Sequence, residues 1–140
     1  MNISEHISLS EATHSEKAKQ LGLDNTPEDL FIANMKLVAL MCFEKVRNWY
    51  GKPIKINSFY RSPEVNKAVN GSPTSDHMRG HAIDLTAGSR EENLKLFNWM
   101  KLNLIFDQLI WENDGAWIHV SYRAKGNRNQ TLNLQQTLPK

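Results

Sequence analysis

The sequence predicts an α+β fold, with helices packed on a small, largely antiparallel sheet in a single domain spanning residues 1–140. Three observations predict it. A length of 140 residues accommodates one core, since domains usually run to about 100–200 residues. Short segments at 54–59, 81–85, 106–112 and 117–122 read as strands, and Asn113-Asp114-Gly115 between the last two is hairpin chemistry. Segments with helical periodicity separate them, with no internal repeat and no linker.

The elements follow in order. Residues 9–21 are polar-rich, with Ser8 and Ser10 as candidate N-caps and Gly22 as a candidate stop, which predicts one or two short helices. Thr26-Pro27-Glu28-Asp29 opens the strongest helix. Thr26 can cap, Pro27 suits the first position, the acids favour the positive helix end, and Leu30, Phe31, Leu37, Val38, Met41 and Val46 recur at helical spacing. This helix runs to about Tyr50 and stops at Gly51. Residues 54–59 alternate apolar and polar as a strand, Ser62-Pro63-Glu64 starts a new helix, and Asn70-Gly71-Ser72-Pro73-Thr74 is a loop. Residues 81–85 form a second strand, followed by a helix over 90–102 with Leu94, Phe97 and Met100 inward. The hairpin 106–122 is the last clear unit, and the Asn- and Gln-rich residues after Arg123 carry no signal.

Composition narrows the function classes. With 40% hydrophobic and 23% charged residues the chain is neither disordered nor fibrous. The apolar run 37–43 is far short of the ~20 residues of a membrane span, and Met1 to His6 lacks the basic start and apolar stretch of a secretory signal, so the expected location as synthesised is the cytoplasm. One cysteine, Cys42, excludes an internal disulfide and a cysteine-paired metal. A net charge of +2 with intermixed signs argues against nucleic-acid binding, and acids interrupt the one basic set, Lys52, Lys55, Arg61, Lys67 and Arg79.

Chemistry is left to the histidines. His77 and Asp84 lie seven apart in a loop that feeds a strand, and His119 sits in the middle of another strand. Two His and a carboxylate from separate elements can give Zn²⁺ three ligands and leave a fourth position for water. Spacing alone does not separate this set from a loop histidine, a pairing aspartate and a satisfied strand histidine, because the His-Glu-x-x-His pattern of a helical metal site is absent. Strand alternation turns His81 away from Asp84, and His6 and His14 belong to a polar segment and are expected to be exposed.

Residues 75–84 match Ser-x-His-x-x-Gly-x-Ala-x-Asp at Ser75, His77, Gly80, Ala82 and Asp84. This resembles the zinc-binding signature of the D-alanyl-D-alanine carboxypeptidases and related L-alanyl-D-glutamate peptidases. The segment Ser58-Phe59-Tyr60-Arg61-Ser62-Pro63, with Asn66 and Gly71-Ser72 after it, resembles the arginine-bearing stretch that precedes the signature. Residues 106–112 and 117–121 resemble the closing hairpin of the short bacterial and phage branch, and Ser15, Ala18, Leu23-Asp24-Asn25 and the long helix have its cast. The resemblance covers about residues 5–125. It implies one Zn²⁺ on His77, Asp84 and His119, and an electrophilic role for Arg61, whose guanidinium can stabilise an oxyanion. The competing reading of Arg61 is a surface pair with Glu64. Ser75 either binds substrate or stabilises its loop.

One position departs from the pattern. Many members carry the catalytic acid three residues before the last His, and here that residue is Ala116. Pairing Glu112 with Trp117 across the loop 113–116 puts Gln108, Ile110 and Glu112 on the face of Trp117, His119 and Ser121, with Glu112 diagonal to His119 at about 7 Å. Glu112 is therefore the candidate general base, Gln108 a candidate substrate contact, and Asp114 the alternative base, better suited to turn chemistry. The implied function is a zinc peptidase acting on peptidoglycan stem peptides: a monomeric endolysin released with a separate holin, or a virion-associated wall hydrolase. The bond cut is L-alanyl-D-glutamate, D-alanyl-D-alanine or a cross-bridge. The rival reading is a non-catalytic zinc-stabilised binding module on the same fold.

Overall fold

The computed structural model describes residues 1–133, so the last seven residues of the expected 1–140 domain lie outside the described residues. The chain starts with a small hairpin that the sequence reading missed, β1 (Asn2–Ser4) and β2 (Ile7–Ser8). Two short helices follow. α1 (Leu9–Ala12) has Ser8 as its cap, in a reciprocal box with Glu11, and α2 (Glu16–Leu21) is capped by Ser15 rather than Ser10 and closed by Gly22.

The long helical segment begins later than the sequence suggests. α3 (Asp29–Val38) has Glu28 at its N-cap without a side-chain bond, and the Thr26 amide donates to Asp24 two residues earlier, so Thr26 belongs to the preceding turn. A π-helical turn (Ala39–Phe43) joins α3 to α4 (Glu44–Tyr50), which ends at Gly51 as expected. Met35, Val38, Ala39, Cys42, Phe43 and Val46 face the core, whereas Leu30, in the first turn of α3, is exposed.

β3 (Lys55–Ser58), α5 (Pro63–Ala68, capped by Ser62), a 3₁₀ turn (Asp76–Arg79), β4 (Ala82–Thr86), α6 (Arg90–Asn103), β5 (Gln108–Glu112), β6 (Trp117–Ser121) and β7 (Gln130–Asn133) complete the chain. Among the described residues the main sheet has the order β3-β4-β6-β5-β7. It is antiparallel except for the β5–β7 pair, which is parallel, and β7 is a strand without a sequence signal. α6 turns Leu96 and Met100 inward, with Phe97 partly buried edge-on to Trp111. Leu94 is exposed, contrary to the sequence reading, and the polar Asn93 takes the buried position. Asn93 is satisfied there by Thr86, the Ala87 amide and the Gly115 carbonyl, which ties β4 to the hairpin turn.

The C-terminal strand is held by a buried carboxylate. Asp107 accepts from Arg128 Nε at 3.0 Å and Nη2 at 2.8 Å, from the Arg128 amide at 3.1 Å and from Arg123 Nε at 3.3 Å. These bonds, Arg128 foremost, pull its carboxyl down to about 2. A group depressed in the fold contributes stability that is present above its unfolded value of about 4 and lost as pH falls through about 2. Both arginines are partly solvated, so the contribution is about 1–2 kcal/mol rather than the full shift. Asp107→Asn should therefore lower the urea midpoint at pH 7, and the gap from the parent should shrink as pH drops from 4 towards 2. A gap that does not change with pH would show that the carboxylate's charge is not what stabilises the strand.

Candidate active site

The site is assembled on one face of the sheet by strand register. Ser58 opposes Asp84, Asp84 opposes His119, and His119 opposes Ile110, which makes a row across four strands. Glu112 pairs with Trp117, as the hairpin arithmetic expects, and so lies one diagonal from His119. His77 comes from outside the sheet, on the 3₁₀ turn. Ser75 caps that turn by accepting from the His77 amide at 3.2 Å, and Gly80 closes it in the left-handed region at φ 74°. A Cβ at Gly80 would stand 2.6 Å from both the Phe31 carbonyl and the Met35 side chain, so only glycine lets the turn press this closely on α3.

His77, Asp84 and His119 bring ligand atoms within 4.8 Å of one another. His77 Nδ1 lies 2.7 Å from the Phe59 carbonyl oxygen, which can only accept, so Nδ1 carries the proton. His77 Nε2 is then a buried lone pair with no hydrogen-bond partner, 3.3 Å from Asp84 Oδ2. Asp84 Oδ1 faces His119 Nδ1 at 3.0 Å. An orphaned imidazole nitrogen beside a carboxylate is an arrangement that a cation resolves, and the donor set suits a divalent metal. Burial raises the Asp84 carboxyl, but the two imidazoles outweigh it and hold it well below the usual range. Burial also opposes charging of His119, yet the Asp84 carboxylate holds that ring above its ordinary value.

These groups line a groove of about 470 Å³ that also contains Arg61, Ser75, Asp76, Gln108 and Glu112. Glu112 is raised by burial and then by the charge of Asp84, only partly offset by His119 and by the Trp117 indole N–H it accepts. Burial lowers Arg61 against the opposing pull of Asp84 and Glu112. Arg61 forms no ion pair with Glu64. It donates from Nη2 to Ser75 Oγ at 3.4 Å, and its Nε is buried without a partner. Ser75 thus caps the turn and meets Arg61, while the Gln108 side chain donates to Gln130 at 2.8 Å. Asp114 is exposed at the hairpin tip, paired with Arg90 and outside the groove lining, as is Ala116. His81 stands outside the metal group and His14 is exposed, but His6 is partly buried and bonds Glu44 at 2.6 Å, contrary to expectation.

Two supports have partners that no local pattern in the sequence predicts. Asn25 donates to the Thr13 carbonyl at 2.8 Å and the Tyr60 carbonyl at 3.1 Å and accepts from the Ser62 amide at 2.7 Å, which clamps the backbone on both sides of Arg61. Asp76, beside His77, binds Arg123 Nη2 at 2.6 Å, and Arg123 also reaches Asp107. Only the fold brings these partners together.

The chain matches the protein family described as Peptidase M15 over residues 5–121. It is also 44% identical over 55 residues to a zinc D-Ala-D-Ala carboxypeptidase of Streptomyces albus G, a match that spans 39% of this chain and 22% of that relative.

Proposed function

The chain belongs to the Peptidase M15 family, and from that premise we propose that it is a zinc-dependent peptidase hydrolysing a peptide bond in peptidoglycan stem peptides. The observation that carries this reading is the convergence of His77, Asp84 and His119 in one groove with Glu112 and Arg61. His77, Asp84 and His119 would hold the zinc, and the metal would supply Lewis-acid chemistry for polarising a carbonyl and acidifying a water. Glu112, its carboxyl raised by burial, would accept a proton from the attacking water and return it to the leaving amine. Arg61 presents its guanidinium to the carbonyl oxygen or to a substrate carboxylate. Ser75 and Gln108 border the bound peptide. Glu112 fills the role that the residue at Ala116 leaves vacant, which favours an enzyme over a zinc-stabilised binding module.

Within this reading, the likeness of the hairpin to the short phage branch supports an endolysin or related wall hydrolase, acting as a monomer after release through a separate holin or from the virion. Purified peptidoglycan incubated with the zinc-loaded protein should yield fragments whose masses locate one cleaved bond, L-alanyl-D-glutamate, D-alanyl-D-alanine or a cross-bridge. Intact peptidoglycan after such incubation would overturn the proposal.

Asn25 positions Arg61 in this scheme. Asn25→Ala should cost about 1–3 kcal/mol of stability through its lost bonds and lower turnover ~10–10²-fold through misplacement of the guanidinium, with zinc content unchanged. Turnover at the parent's level would show that the clamp serves folding alone.

A further inference from the structure

A second hollow, of about 510 Å³, meets the metal groove at Arg61 and Val69 and extends over Ser58, Asn57 and Lys55 to His14, Ser15 and Lys17. Register places Lys55 opposite Thr86, two residues from Asp84 on β4. Lys55 therefore starts from the sheet face that carries Asp84 and His119, displaced by about 7 Å along the strands and one strand spacing across them. Lys17 and Lys55 line the far hollow, and Arg61 lines both. The acid on the far wall, Glu16, is paired with His14 at 3.1 Å, and neither Lys17 nor Lys55 is in an ion pair among the described residues. Arg61, on the boundary, keeps a buried Nε with no partner. Among the described residues β3 has one strand neighbour, β4, and the hollow runs along its other side.

We propose that Lys55 and Lys17 form a subsite for a free carboxylate of the substrate peptide, one or two residues from the bond that is cut. The inference rests on the peptidase reading above and adds to it the place where a free carboxylate of the peptide is held. A stem-peptide glutamate linked through its side chain offers such a group, because its α-carboxylate is left free.

The test uses two synthetic stem peptides that differ only in this group, α-carboxylate in one and carboxamide in the other. Binding is measured by calorimetry and turnover separately, on the zinc-loaded protein and on the Lys17→Gln/Lys55→Gln double variant. The parent should bind the carboxylate peptide about three- to tenfold more tightly, the scale of two solvated ion pairs, and show a lower KM for it. The double variant should lose this discrimination, and Lys17→Arg/Lys55→Arg should retain it. Equal affinity of the parent for both peptides, or discrimination undiminished in the glutamine variant, would overturn the subsite. Cleavage of both peptides with equal affinity removes the subsite and leaves the peptidase, whereas discrimination in binding with neither peptide cleaved supports the subsite and removes the peptidase.

Discussion

His77→Ala, Asp84→Ala and His119→Ala should each strip zinc from the purified protein and reduce hydrolysis to background. Three protein ligands are the usual minimum for a catalytic zinc, so removing one leaves two donors and two open positions. The loss of affinity should exceed the ~10–100-fold that follows removal of an outer hydrogen-bond partner. Asp84→Ala should act most strongly, because this carboxylate lies between both imidazoles, 3.3 Å from His77 Nε2 and 3.0 Å from His119 Nδ1. Metal analysis of the dialysed variants checks the expectation, and addition of zinc to the chelator-treated parent should restore its activity. Stoichiometric zinc in all three variants would dismiss this trio as the metal centre.

Glu112→Gln should retain zinc and fold and cut hydrolysis at least ~10²-fold, the usual worth of a positioned general base. The amide oxygen of Gln can still accept the Trp117 indole N–H, so the hairpin keeps its bond while the group that accepts the proton is gone. Asp114→Asn is the control. Asp114 is exposed at the hairpin tip, paired with Arg90, and its loss should leave hydrolysis near the parent's rate. A strong effect of Asp114→Asn with Glu112→Gln fully active would move the base to the turn, and full activity in both would exclude both residues.

Much of the scaffold was legible because its signals are local. Helix caps at Ser8 and Ser62, stops at Gly22 and Gly51 and the Asn-Asp-Gly turn act within a few residues, and the hairpin loop length alone pairs Glu112 with Trp117. The ordered motifs around Arg61, His77, Asp84 and His119 pointed to the family over most of the chain. The start of α3 was misread because Thr26 and Pro27 have cap-like chemistry, yet the Asp24 side chain draws Thr26 into an earlier turn. Leu94 was misplaced because hydrophobicity marked it for the core, whereas Asn93 finds four polar partners there and the leucine stays outside.

The sequence by itself therefore determined the class of fold and the order of its elements from α1 to β6, which depend on neighbours in the chain, and the resemblance carried by its motifs named the candidate metal donors. Only the tertiary structure decided that those donors converge. The row from Ser58 to Ile110 is produced by the alignment of four strands, and Gly80 brings the His77 turn onto α3 by a contact between residues more than forty apart. The same holds for β7, which pairs with β5 beside the contacts of Asp107 with Arg123 and Arg128, and for Asn25, whose amide clamps the Arg61 segment. A hydrogen bond between distant residues leaves no periodicity in the chain, so only the fold shows where Arg61 is held and that Lys17 and Lys55 line one hollow.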